Sequence, residues 1–432
     1  MTSRWFQRTF ESLRYPEFRV LWIGTSFAFV AFMMSGTVQS VVAFDLAGTN
    51  RAVGLVGLGN GIAMLVVGPM GGVLADRMQK RQLLLVGQST VALVFLASGV
   101  LILAGLITIP LLVASTFAMG IAFSLTGPAR QAYVGELVPR DELPNAVAMS
   151  QMPMTVSRVI SPLVAGVLIG IGAIGPGGTY LFMAGLFVFV LGTLWRLPLS
   201  RPPTGMGRTV GGDLVAGFAH VRERPRLSLL VLGFILLVML GFPYGTVLPG
   251  LLETELGRPA REIGFMMGIS AAGGVVAALG ATAFAASRWA WPVMVGFGLV
   301  FAGALVVMAL VPGYALALVV MVFVGFGSTG FQMLNNALWM SECDPAYYGR
   351  VMSLSMVAWG SQGLTSLPYG ALADAIGERE TMAVMGVAEF ALMGALLLAF
   401  AAVRRSEIPG RKGRVPLGLA VDGAEVRDVR GT

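Results

Sequence analysis

Residues 52–75 read AVGLVGLGNGIAMLVVGPMGGVLA, break at Asp76-Arg77-Met78-Gln79-Lys80-Arg81, and give way to the apolar residues 82–106. The hydrocarbon core of a bilayer is about 30 Å thick and takes about 20 apolar residues of helix. Each run is long enough to cross it, and the break between them is a short charged loop. The stretch therefore reads as two helices in lipid joined at the membrane surface.

The same ruler, moved outward along the chain, finds further spans at 17–44, 110–134, 145–172, 178–197, 226–250, 261–286, 290–311, 314–340, 350–374 and 380–403. The expected fold is all-α and integral to the membrane, with twelve transmembrane helices in two pseudo-symmetric six-helix bundles. Composition agrees: of 432 residues 56% are hydrophobic and only 12% charged, against about 25% charged in soluble proteins. Mean hydropathy is +0.81. The 58 glycines fit helices that pack backbone to backbone where no water drives association. Residues 1–16 are polar and the first apolar run exceeds a cleavable h-region, so no cleaved leader is expected.

Several chemistries are excluded by single residue types. Cys343 is the one cysteine and His220 the one histidine, so neither an intrachain disulfide nor a multi-histidine metal site is available. The two lysines, Lys80 and Lys412, follow Gln79 and Arg411, so no Gly-Lys phosphate loop exists. Gly325-Phe326-Gly327-Ser328-Thr329-Gly330 has dinucleotide-loop spacing. It lies inside an apolar span without a preceding strand, so its glycines read as packing positions. No cofactor, metal or nucleic acid is expected, and neither is enzyme chemistry.

The longest internal polar stretch, 198–225, divides the spans six and six. Within it Leu214, Phe218 and Val221 recur at helical spacing, which predicts a short amphipathic helix on the membrane surface. The predicted units are 1–197, a six-helix bundle; 198–225, a linker; 226–405, a second bundle; and 406–432, a polar tail. The two halves echo each other weakly. Residues 128–149 (PARQAYVGELVPRDELPNAVAM) and 334–355 (LNNALWMSECDPAYYGRVMSLS) both read helix end, acidic-proline turn, helix start. Internal repeats of this kind build many transporters.

Lysine and arginine fall on alternate loops. With the N-terminus placed in the cytoplasm, the far side holds only Arg51, Arg258, Arg261 and Arg379, and Arg158 lies inside a span. The positive-inside bias thus puts both termini in the cytoplasm, and it explains the net charge of +7 without nucleic acid.

The loop Gly72-Val73-Leu74-Ala75-Asp76-Arg77, followed by Lys80 and Arg81, resembles the loop motif of the major facilitator superfamily, with Gln79 where a glycine is usual. That resemblance implies alternating access, with Gly72, Asp76, Arg77, Lys80 and Arg81 forming a lock between the halves on the cytoplasmic side. Ser12-Leu13-Arg14-Tyr15-Pro16-Glu17-Phe18-Arg19, Gly127-Pro128-Ala129-Arg130-Gln131-Ala132, Gly349-Arg350-Val351-Met352-Ser353 and the Gly217–Pro225 linker are similar to the branch holding enterobactin exporters and macrolide-efflux proteins. For that branch the implied activity is export of drug-like or siderophore-like molecules by proton antiport across the cytoplasmic (inner) membrane. Ser161-Pro162-Leu163-Val164-Ala165-Gly166 partly matches an antiporter stretch, which adds Pro162 to the gating residues.

Candidate substrate contacts are the polar and aromatic residues on spans that line the cavity in that family: Gln39, Gln151, Arg158, Tyr244, Gln332, Asn336, Trp359 and Gln362. Arg158 stands out, because an intramembrane arginine costs about 2.5–3.5 kcal/mol or more and needs a partner. Asp45 and Glu389 are the candidate proton carriers. The expected partners are an amphipathic small molecule, protons and the bilayer, and the expected state is a monomer. A proton-coupled importer of a small nutrient or organic anion is the alternative, and a membrane enzyme or lipid-handling protein a remote one.

Overall fold

The structure, a computed structural model, describes residues 11–200, 218–285, 287–344 and 347–406. At 69, 71–77, 144, 159, 348–350, 352–353, 355–356 and 404–406 it describes the backbone alone. The predicted tail and residues 201–217 of the linker, Leu214 included, lie outside the described residues. The linker is helical over 218–222, with Phe218 exposed and Val221 buried.

Twelve long helices run through the described residues. They are α1 (Pro16–Ala47), α2 (Asn50–Arg77), α3 (Lys80–Leu103), α4 (Ile109–Leu137), α5 (Leu143–Gly170), α6 (Gly175–Trp195), α7 (Pro225–Glu255), α8 (Ile263–Thr282), α9 (Ala290–Leu310), α10 (Tyr314–Glu342), α11 (Tyr348–Ile376) and α12 (Glu378–Ser406). Eleven of them are long and apolar enough to cross a membrane. The exception is α11, whose 29 residues include Ser353, Ser355, Ser361, Gln362, Thr365 and Ser366. A helix so polar belongs against protein, and α11 packs along α2.

Connections between helices are short. Gly48 ends α1 at φ 62°, and its N–H bonds to the Phe44 carbonyl at 2.7 Å, so α2 starts two residues later. The apolar run 226–250 reads as one straight span, but α7 breaks. Helix Pro225–Leu240 stops at Gly241-Phe242-Pro243, resumes over Tyr244–Gly250 and finishes in a π-helical turn, Leu251–Glu255. Pro243 has no N–H for the helical ladder, and Gly241 favours leaving it.

The two halves repeat one packing plan. In the first, α1 packs on α5 and α6, α2 on α4, and α3 on α4 and α6. In the second, α7 packs on α11 and α12, α8 on α10, and α9 on α10 and α12. Aromatic contacts follow the same plan. Phe95 of α3 lies 5.3 Å from Phe187 of α6, and Trp291 of α9 stacks on Phe400 of α12 at 4.3 Å.

Cross-half packing is concentrated in two equivalent pairs, α2 with α11 and α5 with α8. The first needs the absence of side chains: a Cβ on Gly61 would stand 2.6 Å from the Gly363 Cα, inside van der Waals contact. In the second, a Cβ on Gly166 would stand 3.0 Å from the Gly264 Cα. Small residues at these points let backbones meet and replace the hydrophobic driving force that lipid cannot supply. The start of α1 and the end of α12 lie on one face of the molecule, called here the terminal face. The seams occupy the other half, from the molecular centre to the opposite face.

Candidate functional site

Arg158 lies fifteen residues into α5, about 22 Å along it at 1.5 Å per residue, and hence near mid-membrane. Its Nη1 donates to Gln332 Oε1 of α10 at 2.6 Å, across the two halves. Its guanidinium carbon stands 5.7 Å from the ring centroid of Trp359 on α11. No carboxylate is paired with it among the described residues. The other amide atom of Gln332, Nε2, is buried without a partner. Cation, amide and indole therefore meet where the halves join, with donors left for a guest.

From that point the cleft opens toward the terminal face. Thr155 and Gln151 stand one and two turns from Arg158 on the same face of α5, and Asn336 one turn from Gln332 on α10; all three are exposed. Met333 and Met340 are exposed beside them on α10. The lining thus mixes flexible thioethers with amides and a hydroxyl, which suits amphipathic guests.

The second half adds an aromatic cluster. Phe242, at the break in α7, meets Trp359 edge-on at 5.2 Å, and Phe234 approaches it at 6.1 Å. Phe301 links Phe242 to Tyr244, whose hydroxyl lies 3.6 Å from the Met267 sulfur. The structure thus brings Arg158, Gln332 and Trp359 together and ties Tyr244 to them through aromatic rings. Gln39 is buried inside the first half, its Nε2 3.3 Å from the Met119 sulfur. Gln362 is half-buried on α11, one residue before the seam glycine Gly363. Phe234 and Phe242 were missed in the sequence, although their eight-residue spacing puts them on one helical face.

The two candidate acids differ. Asp45 is exposed near the end of α1. Glu389 of α12 is 0% exposed, and neither carboxylate oxygen has a hydrogen-bond partner. It sits under the break in α7, where a Cβ on Gly241 would come within 2.7 Å of its Oε1.

Of the candidate gating residues, the side chains of Asp76 and Arg77 lie outside the described residues, as does the surrounding of Gly72. Lys80 pairs with Glu136 of α4 at 2.7 Å. Arg81 donates to the Leu194 and Trp195 carbonyls at the end of α6, at 3.1 and 2.8 Å, an arrangement that offsets the dipole of that terminus. Pro162 lies inside α5, which runs through it unbroken, and its carbonyl faces Gly264. The glycines at 325, 327 and 330 are covered by Ser270, Phe297 and Phe301, as helix packing requires. No group of three or more metal-ligating side chains occurs among the described residues.

Two six-helix bundles with a repeated packing plan, joined across a central cleft, define a transporter of the major facilitator superfamily, not an enzyme. Within that class, a sequence profile described as transmembrane secretion effector matches residues 7–415, and the chain belongs to that family. It is 28% identical over 362 residues to the enterobactin exporter EntS of Shigella boydii serotype 18, covering 83% of this chain and 84% of that one. The match to the EntS protein of Escherichia coli O139:H28 is also 28% over 362 residues, with the same coverage. Solved structures of similar fold include a POT family transporter in complex with a thioalcohol-conjugated peptide. Its TM-score is 0.72 at 13% identity, covering 89% of this chain and 96% of that one. The nucleoside transporter NupG gives a TM-score of 0.69 at 14% identity, covering 88% and 99%.

Proposed function

We propose that this protein is an exporter of amphipathic, drug-like or siderophore-like small molecules, working by alternating access and driven by protons. The observation that carries the reading is the contact of Arg158 with Gln332 across the halves, beside Trp359. A cation and an aromatic face at the apex of the cleft favour an aromatic guest with anionic or acceptor groups. The likeness to enterobactin exporters supports the same chemistry and the outward direction.

In this reading the terminal face is cytoplasmic, and the arginine and lysine distribution supports it. The cleft then takes its guest from the cytoplasm or the inner leaflet, with the opposite face shut. Binding favours the other state only if the guest makes better contacts there. Splitting the Arg158–Gln332 contact to receive a guest frees both groups, and it removes one tie between the halves. Glu389 is the proposed proton site. Its oxygens meet no partner while the break in α7 covers them, so it exchanges protons only when that cover moves. Proton and guest are coupled because each biases the same two-state equilibrium. The site residues act within one copy of the chain, so a monomer suffices.

Everted vesicles from cells making the protein provide the test. When their lumen is acidified, they accumulate a catecholate siderophore or an amphipathic dye, and Arg158→Ala vesicles do not. Accumulation in right-side-out vesicles under an inward proton gradient would instead establish an importer.

A further inference from the structure

The first N–H groups of any helix have no acceptor within it, and they carry the positive end of the helix dipole. At the start of α2 these groups are met from the other half of the molecule. Asp374, near the end of α11, accepts from the Asn50 N–H through Oδ1 at 2.7 Å and from the Arg51 N–H through Oδ2 at 2.9 Å. The Asn50 side chain adds a bond from Nδ2 to the same Oδ1 at 3.2 Å, and another to Glu378 Oε1 of α12 at 2.9 Å. Asn50 is 1% exposed. One turn before Asp374, Gly370 lets the helices close, since a Cβ there would run into the Asn50 carbonyl.

We propose that Asp374 is a gate residue of the transport cycle, a latch that holds the opposite face shut by capping α2 across the halves. The proposal rests on the alternating-access reading above. A second observation supports it. The five residues ending in this acid, Gly370-Ala371-Leu372-Ala373-Asp374, repeat the pattern Gly72-Val73-Leu74-Ala75-Asp76 at the end of α2. The two helices lie side by side and antiparallel, so each pattern ends beside the start of the other helix. In α11 the glycine permits close approach, and the acid four residues on reaches the start of the neighbouring helix. On the opposite face this engagement is made, and it must break for that face to open.

The test uses the full-length chain with its lone cysteine replaced (Cys343→Ser) and a reporter at Ser366→Cys, a buried position facing Gly57. A second reporter, Thr155→Cys, lies exposed on the Arg158 face of α5, one turn toward the terminal face. Losing a cap shared between helix dipole and hydrogen bonds shifts an equilibrium by about threefold or more. Asp374→Ala and Asn50→Ala should therefore raise the rate at which an impermeant maleimide labels Ser366→Cys by at least that factor, with a parallel fall at Thr155→Cys. Asp374→Asn, which keeps shape and one acceptor, should fall between and carries the test if the alanine variant does not reach the membrane. Gly363→Leu, which wedges the seam open, is the control. If Gly363→Leu raises labelling and the Asp374 and Asn50 variants do not, the latch is wrong. If no variant moves either reporter, alternating access itself fails.

Discussion

The two ends of the cleft are held by different chemistry. At the opposite face, ties run between the halves: Asp374 caps α2, Asn50 reaches Glu378, and glycines in α2, α5, α8 and α11 bring backbones together. At the terminal face, the described charge pairs stay within one half. Lys80 holds Glu136, Arg14 holds Glu11 and Glu142, Arg224 holds Asp344, and Arg226 holds Glu342. The lesson is that one face is shut by contacts that must be broken, while the described charge pairs of the other lie where they do not tie the halves together. A transporter in this state needs energy to open the opposite face and little to receive cargo from the terminal side.

Changing the joint between the two ends should have the largest effect. Arg158→Ala removes a charge-assisted hydrogen bond and the cation at the apex, so export should fall about tenfold or more with unchanged expression and melting behaviour. Flux in everted vesicles measures this, and wild-type flux would reduce Arg158 to scaffold. Gly363→Leu comes next. Overpacking costs about 1–3 kcal/mol, enough to move the population toward an open opposite face by about fivefold or more, read as maleimide labelling at Ser366→Cys. Asp76→Asn should act with the other sign to loss of the Asp374 latch, slowing the cycle a few-fold while leaving binding affinity nearly unchanged. A binding titration beside a flux assay separates the two effects. The smallest effect is expected from Lys80→Ala. Pairs of this kind contribute about 0–1 kcal/mol, and this one lies inside one half. Labelling at the opposite face should change less than twofold. A larger change would show that the terminal-face pairs do tie the halves together.

The sequence carried the architecture because lipid imposes a length rule that no packing detail overrides: every apolar run became a helix, with ends displaced by a few residues. The break in α7 was hidden because Gly241, Phe242 and Pro243 interrupt the hydrogen-bond ladder without interrupting apolarity. Arg158 was visible as a charge in the wrong solvent, and Gln332 as an amide in an apolar span. The family likeness placed a central site near residues 158 and 332, but not their direct hydrogen bond across 174 residues of chain, since pairing across halves depends on how the bundles dock. Asp374 and Asn50 drew no attention, being ordinary polar residues at helix ends, although the repeated Gly-x-Leu-Ala-Asp was present in the letters. The Gly57-x-x-x-Gly61 spacing was likewise present in the letters and went unread, and its partner glycines in α11 could be assigned only from the packed structure.

The backbone contact between α2 and α11 has an electrical consequence. Where Gly61 and Gly363 meet, no side chain separates the helices and no room remains for a file of water molecules, which would need a roomy, polar path. A door shut in this way is an insulator as well as a barrier. While the opposite face is shut, this seam gives ions no path between α2 and α11.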